Sequence, residues 1–386
     1  AAQAYVARIR GDDRRTIALS QQALALLPQA GPDVRSVLSV NLGIAHWNSG
    51  HLVEAEQALT EARHAARQCD NHYARLTALG FLGTIQATWG KLHRAAALFE
   101  QAIASRSQSP PVALAHNELG ALYYEWNDLQ AAADHLQHGI ELSRRGGNPE
   151  IQLGSYRIAA RLRQAQGDAA GALDALQTAH QLVREHNLSP LMRARNAACH
   201  VRVALAQGDL DAAVLWAERV TQDADGSPFY PLLGLTPARL FLAQGERAAA
   251  AEHLAACHET AVRASWQFGV VEVCVLQALA ALTPADALVF LDEALTLAEP
   301  EGYVRTFVDQ GAPMATLLQA AAEEDITPTY IGRLLAALGV SSPAHTGTPA
   351  KAIVEPLSDR ELDVLCLLAQ GQTNRDIAQA LCVWVN

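Results

Sequence analysis

Residues 82–102 read LGTIQATWGKLHRAAALFEQA, and the placing of small and large apolar residues around Gly90 decides the fold. A helix commonly ends at a residue in the left-handed conformation, where Gly and Asn meet the least steric cost, so Gly90 marks a joint between two helices. Leu82 and Gly83 stand before the joint; Ala95, Phe99 and Ala102 stand after it. Small residues let two antiparallel helices approach closely, and large apolar residues one turn away fill the groove between them. The stretch predicts a helical hairpin.

The same plan recurs on both sides. Turn signals at Gly11-Asp12, Gly50-His51-Leu52, Gly90-Lys91-Leu92, Asn127-Asp128-Leu129, Gly167-Asp168, Gly208-Asp209-Leu210 and Gly245-Glu246 are spaced by 39, 40, 37, 40, 41 and 37 residues. An Asp just after the joint is placed to cap the next helix. Seven residues before the joints stand Gly43, Gly83, Gly120 and Ala160; five after them stand Ala55, Ala95, Ala132, Ala172, Ala213 and Ala250. Nine residues after stand Leu59, Phe99, Leu136, Leu176, Ala217 and Leu254. Six hairpins thus share one packing plan, and Gly11, with weaker flanks, marks a partial terminal repeat. Pro and Gly between hairpins, as in Leu27 to Pro32, Ser107 to Pro111 and Gly146 to Pro149, stop one helix before the next begins. Beyond Gly245 the pattern loosens to a predicted helix over Thr260–Leu282, a break at Pro284 and a helix over Ala285–Ala298.

This small-then-large pattern resembles the tetratricopeptide repeat (TPR), with a period longer than the usual 34 residues. The expected fold is all-α: a right-handed α-solenoid of TPR-like hairpins over residues 1–300. A connector follows at 301–338, with helices over Pro313–Glu324 and Pro328–Leu338. Residues 339–356, rich in Gly, Ser, Thr, Ala and Pro, read as a linker. From Leu357 to Asn386 helical periodicity returns: Ser358 and Glu361 form a capping box, Gly371 ends that helix and Thr373 caps another.

Composition bounds the function. Half of the residues are hydrophobic and 18% are charged, enough apolar material for a large core. The net charge of −11 makes the body as a whole repel phosphate backbones. Six cysteines without a CxxC pair fit a reducing cytoplasm, and no apolar run is long enough to span a membrane. The opening AAQAYVARIR, with neither an initiator Met nor a signal pattern, reads as a piece of something longer.

Leu357-Ser358-Asp359-Arg360-Glu361-Leu362, followed by Gly371-Gln372-Thr373-Asn374-Arg375-Asp376-Ile377-Ala378, is similar to the opening half of a LuxR-type helix-turn-helix. With the repeat array and the segment Gly302-Tyr303-Val304-Arg305-Thr306-Phe307-Val308-Asp309-Gln310-Gly311, the chain resembles the carboxy-terminal half of the large ATP-binding, MalT-like LuxR regulators. The resemblance implies a bacterial transcription regulator whose ATPase precedes this region and whose solenoid senses an inducer. It also implies DNA contacts from the tail, at Thr373, Asn374 and Arg375. The chain carries no GxxxxGK[ST] loop, so no cofactor is expected in it and ATP belongs to the preceding domain. The family's recognition helix is not matched by the ending Cys382-Val383-Trp384-Val385-Asn386, and residues 351–386 carry a net charge of −2, from three basic and five acidic residues. DNA binding is therefore expected only in the full-length regulator.

TPR-like arrays bind partners on the concave wall formed by the first helices of the hairpins. Six residues before the joints stand Ile44, Thr84, Ala121, Arg161, Arg202 and Arg239, with Arg157 and Arg195 one and two turns earlier. Guanidinium forks suit carboxylates and phosphates, so this stripe is a candidate groove for an anionic ligand or acidic peptide. Pairing with Asp and Glu of neighbouring repeats is the plainer alternative. Asn117, Tyr124 and Glu125, with Trp47, add an amide and aromatic lining suited to a sugar or other polar ring. Trp47, Trp89 and Trp126, each just before a joint, read as plugs of the hairpin ends.

Catalysis finds no motif: there is no GxSxG, HExxH or paired-Cys pattern. His135 with His138, and His253 with Cys257, lack a third ligand, and no metal is expected. The leading reading is the ligand- or partner-sensing and self-association module of a regulator. The alternatives are a scaffold that binds only protein, and a stand-alone DNA binder.

Overall fold

The computed structural model describes residues 2–26, 31–223 and 231–340. The linker beyond residue 340, the capping box at Ser358 and Glu361, and Thr373, Asn374 and Arg375 lie outside them. Among the described residues the chain is all-α, with nineteen α-helices and no strand.

Sixteen of these helices pair as consecutive hairpins. They are α1 (Ala2–Ile9) with α2 (Asp13–Leu26), α3 (Pro32–Asn48) with α4 (Leu52–Gln68), α5 (His72–Thr88) with α6 (Leu92–Ile103), and α7 (Pro110–Glu125) with α8 (Leu129–Arg145). Then follow α9 (Pro149–Ala165) with α10 (Ala169–Glu185), α11 (Pro190–Ala206) with α12 (Leu210–Asp223), α13 (Pro231–Ala243) with α14 (Arg247–Arg263), and α15 (Gln267–Ala280) with α16 (Pro284–Ala298). Gly11, Gly50, Gly90, Gly167, Gly208 and Gly245 all take positive φ, and so does Asn127 at 63°. Asp128 and Asp168 cap α8 and α10 by accepting the amide protons of Ala131 and Gly171, supplying acceptors to orphan helix-start donors.

The small residues mark where paired helices touch. A Cβ on Gly83 would lie 2.4 Å from Phe99 Cε1, and one on Gly43 would lie 2.5 Å from Leu59 Cγ. Ala55, Ala95, Ala132, Ala172, Ala213 and Ala250 are fully buried. The expected helix over Thr260–Leu282 is corrected: it is two helices, α14 and α15, broken at Ser265, whose φ is 54°. The break replaces the usual Gly or Asn with Ser, so it carries no compositional signal.

After α16, Gly302 turns the chain in the left-handed conformation and leads into the short α17 (Arg305–Val308). Two more helices follow, α18 (Ala312–Glu323) and α19 (Pro328–Ala337). They share one apolar core with the early hairpins: Tyr303, Phe307, Leu318, Ile331 and Leu334 join Leu59, Ile85, Phe99 and Leu119. The array therefore coils back on itself. The Gly11 joint abuts Ser189 before α11, the Gly90 joint abuts Gln267 at the start of α15, and Arg305 Nη1 donates to Asn127 Oδ1 at 3.3 Å. These contacts join residues 177 or 178 apart, which sets the length of chain in one superhelical turn.

Candidate functional site

The coil encloses a cavity of about 700 Å³ whose walls are the first helices of six successive hairpins. Helix α1 supplies Tyr5 and Arg8; α3 supplies Asn41, Ile44 and Trp47; α5 supplies Tyr73, Phe81 and Thr84. The opposite wall is Asn117 and Glu118 of α7, Gly154 and Arg157 of α9, and Met192 and Arg195 of α11. Each faces inward because first helices line the concave side of a hairpin stack.

Three arginines line this cavity: Arg8, whose Nε donates to Asn41 Oδ1 at 2.9 Å, Arg157 and Arg195. Arg195, 8% exposed, lies over the Trp47 ring at 5.0 Å, joining α11 to α3 across the space, while Trp47 meets Phe81 edge-on at 5.6 Å. Burial, together with the neighbouring Arg157 charge, pushes the Arg195 guanidinium down to about 9, so it stays protonated at neutral pH. Burial also lowers Arg157, against the pull of Cys199 and Glu118, and its Nε finds no hydrogen-bond partner among the described residues. Glu118 is raised by burial and held back by both arginines. At the mouth, burial pushes Asp13 up to about 6 although Asn48 Nδ2 donates to it at 3.1 Å. Asn117 is fixed in place: its amide donates to the Ile151 carbonyl at 3.2 Å and its oxygen accepts from Ser155 Oγ at 2.9 Å.

The other end of the groove is filled by the chain itself. Arg202 Nη1 and Arg239 Nη2 both donate to Glu272 Oε1, at 2.9 and 2.6 Å. Burial disfavours the Glu272 charge, yet Arg202, Arg239 and Arg161 outweigh it and hold the carboxyl below its usual range. Arg161 lies 3.8 Å from Asp309 and over the Tyr124 ring at 4.7 Å, and Tyr124 donates to Asp309 at 2.5 Å. Asp309 also pairs with Arg305. Beside it, Glu125 accepts from the Thr306 amide at 2.9 Å; burial still pushes its carboxyl up to about 7. Trp126 donates to the Glu301 carbonyl at 2.9 Å. Residues 301–311 therefore run as a strap across α7, α9, α13 and α15.

The seven groove residues expected from sequence thus separate into two sets. Asn117, Arg157 and Arg195 line the cavity; Tyr124, Arg161, Arg202 and Arg239 are taken up by Glu272 and Asp309. Sequence reasoning missed the two carboxylates, although Glu272 stands out as the one acid in the apolar stretch of α15. It also missed Arg8, Asp13, Phe81 and Glu118, for which the repeat register gives no cue. The two pairs weighed as metal ligands make the following contacts. His135 Nδ1 meets His116 Nδ1 at 3.0 Å, His138 meets the Asp134 carbonyl, and His253 and Cys257 both turn to the Gly234 carbonyl.

Comparison with known proteins gives two family matches. The family described as "MalT-like TPR region" matches residues 1–324, and "Bacterial regulatory proteins, luxR family" matches residues 355–383. No curated protein matches the chain as a relative. Among solved structures, a tetratricopeptide repeat protein from Parabacteroides merdae ATCC 43184 is 17% identical with a TM-score of 0.35, covering 79% of this chain and 99% of its own. Yeast Tom70 is 15% identical with a TM-score of 0.38, covering 86% of this chain, which spans 62% of Tom70.

Proposed function

Because the chain belongs to the family of MalT-like TPR regions, we propose that it is the sensing module of a LuxR-family transcription regulator and that its effector binds in the cavity between α1 and α11. The observation that carries this reading is the pair Arg157 and Arg195, brought within that cavity beside Trp47 and Phe81. Arg157 and Arg195 repel one another in a desolvated setting, Glu118 offsets part of that repulsion, and an anionic group placed between them offsets more. The aromatic and amide lining suits a flat or ring-shaped body attached to that acid. An effector that bridges α3 to α11 would favour the coiled form of the array over a looser one, by as much as its affinity differs between the two.

A second reading, a groove for a protein partner, draws on the strap: residues 301–311 occupy the concave wall as a bound peptide would. The DNA-contacting role of Thr373, Asn374 and Arg375 belongs to the full-length regulator, and self-association follows the same family expectation. Isothermal titration with anionic metabolites, neutral oligosaccharides and acidic peptides tests the proposal. Saturable binding by a small anionic member, lost in Arg157→Ala and Arg195→Ala but kept in Arg202→Ala, supports it. Binding by acidic peptides alone, or loss only in Arg202→Ala, favours the protein groove.

A further inference from the structure

Outside the cavity, three consecutive helices bring together a histidine, a cysteine and a glutamate. His258 of α14, Cys274 of α15 and Glu293 of α16 offer Nε2, Sγ and a carboxylate oxygen that all lie within 4.8 Å of one another. From these positions we infer a site for a thiophilic divalent cation of the zinc class, held by His258, Cys274 and Glu293.

The donor chemistry selects the ion. Thiolate and imidazole with a single carboxylate suit zinc, whereas calcium and magnesium call for oxygen donors. The geometry is near closure: His258 Nε2 stands 3.7 Å from Glu293 Oε1, and ligands of a tetrahedral zinc with bonds of about 2.0–2.3 Å stand roughly 3.3–3.7 Å apart. The other two separations are no more than 4.8 Å, so side-chain movements of up to about 1 Å reach tetrahedral spacing, and the half-exposed Glu293 has room to move. The depth is graded as well. Cys274 is fully buried, the His258 ring is 26% exposed and Glu293 44%, so the cation enters from the Glu293 side and keeps water as its fourth ligand. His258 Nε2 is itself buried and accepts or donates no hydrogen bond, although it faces the pair of acidic groups.

Binding exchanges the Cys274 S–H bond for an S–metal bond, and the proton passes to the buffer. No electron is transferred. The bound ion staples α14, α15 and α16 to one another. Those helices carry Ala261, Cys274 and Leu291 into the core shared with α5, so the staple stiffens the place where the superhelix meets its own first turn.

Cobalt(II) provides the probe, because a cobalt–thiolate bond absorbs in the near ultraviolet and the aqueous ion does not. The chain is first stripped with chelator and kept reduced. Titration is expected to saturate at one equivalent with a thiolate charge-transfer band that zinc(II) then bleaches. Cys274→Ser abolishes the band and Cys257→Ser leaves it. Glu293→Gln weakens cobalt affinity by at least the roughly 10–100-fold that losing an outer-shell partner costs. Should Cys274→Ser fail to fold, His258→Gln and Glu293→Gln answer the same question from the less buried side. Absence of a band at one equivalent, or a band unchanged in the folded variants, overturns the site.

Discussion

At the scale of single residues, the buried ion cluster and the small residues of the hairpins make the firmest predictions. Glu272 is the sole carboxylate within bonding distance of both Arg202 and Arg239 among the described residues. Glu272→Ala removes the buried carboxylate that two partly exposed cations share and is expected to lower stability by up to about 3–5 kcal/mol, measured as a drop in the thermal midpoint. Glu125 behaves in the opposite sense with pH. Its folded carboxyl titrates at about 7, above the usual carboxylate value, so folding takes up a proton and stability is highest in acid. That contribution is lost as pH climbs from the ordinary carboxylate range through about 7. Glu125→Gln keeps an acceptor for Thr306 without the charge. It is expected to gain on the parent protein between pH 5 and pH 8 by a few kcal/mol, at about 1.4 kcal/mol per pKa unit. Equal differences in midpoint at the two pH values would count against a buried, proton-binding Glu125.

At the scale of elements, the hairpins α3–α4, α5–α6 and α7–α8 each rest on a small-against-large contact, Gly43 on Leu59, Gly83 on Phe99 and Gly120 on Leu136. Gly83→Ala drives a methyl group into the fully buried Phe99 ring, and overpacking of this kind costs about 1–3 kcal/mol. A lowered urea midpoint with an unchanged slope is the expected result. These hairpins were legible in the sequence because steric demand fixes residue type: only small residues fit at Gly43 and Gly83, and positive φ favours Gly at Gly50 and Gly90. The turn at Ser265 was not legible, since a residue held in the left-handed region by its tertiary setting leaves no trace in composition. The candidate site was legible only in part. Joint offsets find the concave wall of a repeat, but cannot tell which turn of a first helix meets empty space and which meets the strap. Arg157 and Arg161, one helical turn apart, therefore have different surroundings: the first lines the cavity and the second pairs with Asp309.

At the scale of the whole solenoid, one superhelical turn of about 178 residues brings distant repeats into contact. Long-range contact of this kind is unusual for an array in which each repeat normally touches only its neighbours. It predicts that stability is shared between the ends. Gly90, at φ 75° and with its Cβ position 2.9 Å from Gln267 Cβ, is the most sensitive joint. Gly90→Ala combines left-handed strain of about 1–3 kcal/mol with that clash, and is expected to speed hydrogen exchange in α15 as well as in α5. Faster exchange confined to α5 would mean that the two turns fold independently.

The coil also explains why a cavity exists at all: the Gly11 joint closes against Ser189, and the strap closes the far end of the groove. The most direct test of the effector reading is hydrogen exchange across the chain, with each compound of the titration panel in turn. One anionic compound is expected to slow exchange in α3, α5, α7, α9 and α11, and Arg195→Ala to remove the effect. Slowing confined to α13 through α19, or no slowing with any compound, would contradict the effector reading.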